Sequence, residues 1–141
     1  MLIRAIIFTA STIGLYISLY FTFIYYRIIS PDRRLVPAWC RMDNNTCHYI
    51  VHTPQAHALG LPNSLYGIFY YLFMASYAIL GAWYYSFSLE KAMVFFSAAP
   101  FLMSIYLFYA LRFQLKTHCV LCYISHAINF LLFLLFLLVI G

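Results

Sequence analysis

Charged residues are scarce in this sequence, and acidic ones are nearly missing. Only 8% of the 141 residues are charged, and three Asp and Glu stand against eight Lys and Arg, for a net charge of +5. A soluble domain has about a quarter charged residues, so this composition excludes an ordinary water-soluble globular protein. The basic residues flank apolar runs, a pattern that favours membrane lipid over nucleic acid as a partner.

Interruptions of the apolar sequence are also rare. Four uncharged runs are each long enough for a helix that crosses a membrane, which takes about 20 residues. Backbone polar groups in lipid must be satisfied within the segment, so these runs are expected to be helices. We predict an all-α integral membrane protein, a single domain over residues 1–141 folded as a four-transmembrane-helix bundle, with spans at about 5–26, 65–89, 92–111 and 119–140.

Local signals refine these spans. Glu90-Lys91 is expected to separate the second span from the third, and Pro100 to kink the third. In the long loop between the first two spans, Thr53-Pro54 is typical of a helix start and Gly60 of a stop. We therefore predict a short surface helix from Pro54 to Leu59. Asn63-Ser64 is expected to cap the second span.

Cysteine is equally sparse, and its four copies fall in two places: Cys40 and Cys47 in the long loop, and Cys119 and Cys122 at the fourth span. With four spans, the two connections that hold them emerge on the same side of the membrane. A C-x-x-C at a helix start favours thiol exchange, because the helix dipole and free N–H groups stabilise a thiolate. Two alternatives remain: buried inert cysteines, or a zinc site that stabilises a non-catalytic membrane protein.

Polar residues of the fourth span share one face. Cys119, Cys122, His126 and Asn129 are separated by three, four and three positions, which places them in one stripe along a helix. Polar groups in lipid usually face the bundle interior, where ionisable ones indicate a functional site. A hydrophobic redox molecule entering from the lipid is expected to dock beside this stripe. The alternative is that His126 and Asn129 only make hydrogen bonds between helices.

These motifs resemble the vitamin K epoxide reductase family, the quinone-linked enzymes of disulfide formation. The resemblance covers nearly the whole chain. It rests on Cys40 and Cys47 with six residues between them, then Thr53, then PNSLYGIFYY at 62–71, and then the Cys119–Cys122 pair. This order differs from that of the bacterial DsbB family, in which the C-x-x-C pair comes first.

The resemblance implies a route for electrons. Cys119-Cys122 corresponds to the pair next to the quinone, with Cys122 reacting with its ring. Cys40-Cys47 corresponds to a shuttle pair, in which Cys47 exchanges with Cys119 and Cys40 exchanges with a thioredoxin-like partner. Many bacterial relatives carry a fused thioredoxin-like domain. This sequence shows none, so a separate redox protein is expected as the partner.

The resemblance also implies residues around the quinone. Asn63 matches an asparagine that hydrogen-bonds a quinone oxygen, and Thr53 lies where relatives usually carry a serine that supports the site. His126 is a departure, because animal members have a tyrosine at this position, but its place on the stripe predicts contact with the quinone. No metal is expected in the enzyme.

The predicted function is therefore a membrane thiol–disulfide oxidoreductase that takes electrons from a thioredoxin-like partner and passes them to a quinone, so generating protein disulfides. Reduction of a quinone epoxide stays open as an alternative, because the same thiols serve both reactions.

Orientation in the membrane follows the distribution of Lys and Arg in short loops. Six basic residues lie on the cysteine side and two, Arg4 and Lys91, on the other. This asymmetry predicts cysteines that face the cytoplasm, an inversion of the usual extracytoplasmic arrangement of the family, which is the alternative. The six are Arg27, Arg33, Arg34, Arg41, Arg112 and Lys116.

Overall fold

The structure is a computed structural model that describes residues 1–29, 46–81, 83 and 86–141, with the side chains of 46–48 left out. The described chain is mostly helical. Its α-helices are α1 (Leu2–Tyr25), α2 (Thr46–Val51), α3 (Asn63–Leu80), α4 (Phe87–Tyr109) and α5 (Val120–Ile140).

Three helices of the described chain are long and apolar enough to cross a membrane: Leu2–Tyr25, Phe87–Gln114 and Val120–Ile140. Helix α3 is shorter, with 18 residues that include four tyrosines. At 1.5 Å per residue it extends about 27 Å, close to the thickness of a hydrocarbon core of about 30 Å. An integral membrane protein is therefore confirmed, whereas a fourth span at α3 stays a prediction.

The long helices form two packed pairs, α1 with α3 and α4 with α5, and α1 also contacts α5. The first pair is close because α1 presents small residues to α3. A Cβ atom added to Gly14 would lie 2.5 Å from the ring of Tyr71. Among the described residues, α3 and α4 contact each other much less, and the ring of Phe96 on α4 meets Phe73 and Tyr70 of α3 at centroid distances of 5.0 and 5.9 Å.

Residues 46–62, which we call the roof segment, connect into α3 at the bundle end where α5 begins. After α2 the segment forms a 3₁₀ turn (Pro54–Ala56) and a two-stranded antiparallel hairpin, β1 (His57–Ala58) and β2 (Leu61–Pro62). The hairpin turn consists of Leu59 and Gly60, both with positive φ, as a type I′ turn requires. The rings of His52 and His57 both contact Tyr25, which anchors the segment to the end of α1.

Several expected boundaries are wrong. The second helix ends at Leu80 instead of residue 89, and α4 begins at Phe87, so Glu90-Lys91 lies inside α4. Helix α4 runs through Pro100 and ends in a π-helical segment, Ala110–Gln114.

The loop prediction is correct at its start only. Thr53 is the N-cap and Pro54 begins the 3₁₀ turn, but the turn ends at Ala56 and a hairpin replaces the rest of the expected helix. Asn63 does not cap α3, because the N-cap is Pro62 and no side chain caps it. Asn63 instead donates to the Gln55 carbonyl oxygen at 3.0 Å, which ties α3 to the roof segment.

Candidate functional site

The Cys119–Cys122 pair lies at the start of α5, as the sequence predicts. Cys119 is the N-cap residue with an extended backbone, and the Cys122 backbone N–H donates to its Sγ at 3.3 Å. Sulfur thus occupies the position where a capping oxygen usually sits. Because free N–H groups and the helix dipole favour negative charge there, a Cys119 thiolate is stabilised by the backbone. Cys119 is only 2% exposed, whereas Cys122 is partly exposed.

Basic residues accompany this helix start. Arg112 of the π-helical segment lies 3.4 Å from His118 Nε2, and His118 Nδ1 lies 3.3 Å from the Tyr123 hydroxyl oxygen. A guanidinium can only donate, so Nε2 is the acceptor in this contact. This arrangement places a permanent positive charge next to the residue that precedes Cys119.

A cavity of about 740 Å³ opens beside the pair, within the bundle and below the roof segment. Residues of α1, α3, α4 and α5 form its walls, and aliphatic and aromatic side chains dominate them. Helices α3 and α4, which contact each other little among the described residues, both line it. Its polar lining is small. On α3 and α5 it includes Asn63, Tyr71, Cys122, Ser125, His126 and Asn129, and on α4 it includes Ser104.

The predicted stripe on α5 is therefore largely confirmed as one face, because Cys122, His126 and Asn129 all line this cavity. The Nδ1 atom of His126 is buried and has no hydrogen-bond partner in the described part of the chain. An unpaired polar atom in an apolar interior is unfavourable unless a ligand or water satisfies it. The geometry gives no support to the alternative that His126 only links helices.

Asn129 does link helices. Its Oδ1 accepts from the Tyr71 hydroxyl at 2.7 Å, and its Nδ2 donates to Ser104 Oγ at 2.7 Å. Ser125 Oγ lies 3.3 Å from the Tyr71 oxygen. Sequence reasoning missed Tyr71, Ser104 and Ser125, although a serine and a tyrosine inside apolar spans are a signal of the same kind as Asn129.

Asn63 and Thr53 lie at the roof end of the site. Asn63 lines the cavity, whereas Thr53 does not. Thr53 is buried, its hydroxyl donates to the Ile50 carbonyl at 2.7 Å, and its own carbonyl accepts from the Ala56 N–H at 3.1 Å. A supporting role for Thr53 in shaping the roof segment agrees with these contacts.

The structure describes little of the two loop cysteines. Cys40 lies outside the described residues, and Cys47 belongs to α2 with only its backbone described. Ile50 and Val51, at the other end of α2, line the same cavity as Cys122, so α2 lies at the bundle end of the Cys119–Cys122 pair. In the described ranges, no three His, Cys, Asp or Glu residues are grouped to hold a metal.

The family model of vitamin K epoxide reductase matches residues 5–137, which is nearly the whole chain. Members of this family are oxidoreductases associated with quinones. The apolar helices agree with a membrane location. The chain belongs to the vitamin K epoxide reductase family and is a membrane redox enzyme.

Proposed function

We propose that the protein passes electron pairs from thiols to a quinone and so generates protein disulfides. The observation that carries this proposal is the shared cavity: Cys122, predicted to react with the quinone ring, lines one apolar space together with Asn63 and His126, predicted to contact the quinone. Ligand sites of this kind bury an apolar molecule and orient it with few polar groups.

The residues present fit a quinone. The aromatic and aliphatic walls suit a flat apolar ring, and the amide of Asn63 and the ring of His126 offer polar contacts to its oxygens. The loose packing of α3 against α4 provides an approach from the lipid. A bound quinone supplies a two-electron acceptor. The chain supplies the paired thiols, the capped Cys119 sulfur and the exclusion of water by the roof segment.

The proposed electron route begins at Cys40-Cys47. A dithiol of a thioredoxin-like partner reduces this pair by exchange, and Cys47 then attacks the Cys119–Cys122 disulfide at Cys119 to form a mixed disulfide. Cys40 attacks Cys47 in turn, which re-forms the Cys40–Cys47 disulfide and leaves Cys119 and Cys122 as thiols. Oxidation of the resulting two thiols to a disulfide releases two electrons and two protons, which balances reduction of a quinone to its hydroquinone. In this proposal α3 also spans the membrane, which makes four spans in total. Both cysteine pairs then lie on the same side of the membrane.

Purified protein tests the proposal. In detergent or nanodiscs, it is expected to reduce 1,4-naphthoquinone with a reduced thioredoxin as donor, and to do so repeatedly. The reaction is followed by quinone absorbance and by counting thioredoxin thiols, which should disappear in a ratio of two per quinone. Protein with alkylated cysteines is the control. Absence of turnover with every dithiol tried would contradict the proposal.

We further propose that the cysteines face the cytoplasm, on the basis of the six-to-two distribution of Lys and Arg. Disulfide formation inside the cell is characteristic of hyperthermophilic prokaryotes. A membrane-impermeant maleimide added to intact, mildly reduced cells is expected to label Cys40 and Cys47 only after lysis. Labelling before lysis would show the extracytoplasmic arrangement instead.

A further inference from the structure

A directed chain of hydrogen bonds crosses the deep part of the cavity. The Tyr71 hydroxyl has one hydrogen and donates it to Asn129 Oδ1, so in the contact between Tyr71 and Ser125 the serine is the donor. Asn129 donates in turn to Ser104 Oγ. The chain therefore runs from Ser125 to Tyr71, to Asn129 and to Ser104, with every bond pointing in the same direction.

Ser104 ends this chain with a spare hydrogen. Its oxygen accepts from Asn129, and the described residues contain no acceptor bonded to its hydroxyl hydrogen. Serines and threonines within helices usually donate to a backbone carbonyl of the preceding turn, as Ser97 does to Val94 at 2.9 Å and Ser76 to Leu72 at 2.8 Å. Ser104 departs from this pattern although it is only 5% exposed.

The unused hydrogen lies at the cavity, since Ser104, Tyr71, Ser125 and Asn129 all line it. Hydrogen bonds aligned in one direction polarise each other, so the last donor of such a chain is strengthened. In an apolar space this donor needs an oxygen acceptor from whatever occupies the cavity.

We infer that Ser104 donates a hydrogen bond to an oxygen of the quinone at the end of the cavity opposite Asn63, and that Tyr71 and Asn129 are positioning residues that aim it. This inference rests on the proposed function. Asn63 and Tyr71 are eight residues apart on α3, a rise of about 12 Å. A quinone ring carries an oxygen at each end. It therefore fits along this length, with one oxygen hydrogen-bonded to Asn63 and the other to Ser104 at the height of Tyr71.

The orientation of Asn129 gives the inference a distinctive consequence. With Tyr71→Phe, Asn129 Oδ1 loses its donor, and the amide is free to rotate. Oδ1 then accepts the Ser104 hydrogen, which turns the donor away from the quinone. Tyr71→Phe on α3 thus removes the same hydrogen bond to the quinone as Ser104→Ala on α4.

Infrared difference spectroscopy of bound 2-methyl-1,4-naphthoquinone, whose two carbonyls are inequivalent, measures this directly when ¹³C is placed in one carbonyl at a time. In the parent protein, both carbonyl bands are expected to lie below their free-quinone frequencies, one because of Asn63 and the other because of the Ser104 hydrogen bond. Ser104→Ala and Tyr71→Phe should both return the latter band towards the free value, and Ser104→Thr should keep it low. Affinity for the quinone should fall about 2- to 10-fold in the first two variants, as for a neutral hydrogen bond.

Ser97→Ala is the matched control. Ser97 is a buried serine on the same helix, its hydroxyl is bonded to the backbone, and it does not line the cavity. The carbonyl bands should not change in this variant. Bound quinone with identical bands in the parent protein and in folded Ser104→Ala or Tyr71→Phe would overturn the inference alone. No bound-quinone band in any protein would overturn the proposed function together with it.

Discussion

Cys122→Ser is expected to reduce quinone turnover to the level of the reaction without protein, whichever dithiol is the donor. Of the two cysteines at the start of α5, Cys122 lines the cavity and Cys119 is buried. Serine preserves the size of the side chain but neither forms a disulfide nor gives up electrons. The measurement is quinone absorbance with either thioredoxin or a small dithiol as the donor.

Cys40→Ser is the matched comparison, because the proposed route uses Cys40 only to pass on electrons that come from a protein partner. Turnover with reduced thioredoxin should be lost in this variant. Turnover with a small dithiol that reaches the Cys119–Cys122 disulfide directly should stay near that of the parent. If Cys40→Ser lost turnover with small dithiols as completely as Cys122→Ser, the proposed division between the two pairs would be wrong.

The sequence was informative where hydrophobicity alone decides the structure. Helices α1 and α5 begin and end close to the predicted positions, because each is built on a long run without Asp, Glu, Lys or Arg, although α1 also extends back over Arg4. The Cys119 cap was also predictable, since it depends only on where the last run starts. Such features are local, and the membrane imposes them on each segment separately.

Counting charges wrongly predicted that a helix ends at Glu90-Lys91, which lies inside α4. Glu90 lies in the first turn of α4, where the positive end of the helix dipole favours a carboxylate, and it is only 4% exposed. Lys91 lies 4.3 Å from the centre of the Phe87 ring, a cation–π contact within the same helix. Glu90 is favoured by the helix dipole, although its Oε2 has no hydrogen-bond partner among the described residues, and Lys91 is favoured by the Phe87 ring. Neither charge therefore ends the helix.

The roof hairpin was missed for a different reason. Leu59 adopts a φ of 53°, which is uncommon for a side chain of this kind, and it is 97% exposed. Glycine or asparagine at this position would have indicated a type I′ turn, whereas leucine after Ala58 indicates a helix. The partners of Asn129 could not be predicted either. Tyr71 and Ser104 lie on two other helices, and the sequence does not give the register in which the three helices pack.

His126→Phe is expected to lower quinone turnover by about 10² to 10⁴-fold, the usual range for loss of a group that transfers or shares a proton. Reduction of a quinone adds two protons as well as two electrons, and its oxygens gain negative charge before they are protonated. His126 lines the cavity one helical turn beyond Cys122, and its Nδ1 has no partner in the described chain. The imidazole is therefore available to donate to a quinone oxygen.

Two controls separate this role from a structural one. His126→Tyr installs the residue that animal members of the family carry, and its hydroxyl can still donate, so it should recover much of the turnover that phenylalanine loses. Thiol counting and thermal unfolding should show the same disulfides and stability in the parent protein and both variants. Since the described contacts give His126 no partner to lose, His126→Phe should not unfold the bundle. Parent-like turnover in folded His126→Phe would mean that the quinone receives its hydrogen bonds elsewhere, with Ser104 and Asn63 as the remaining donors.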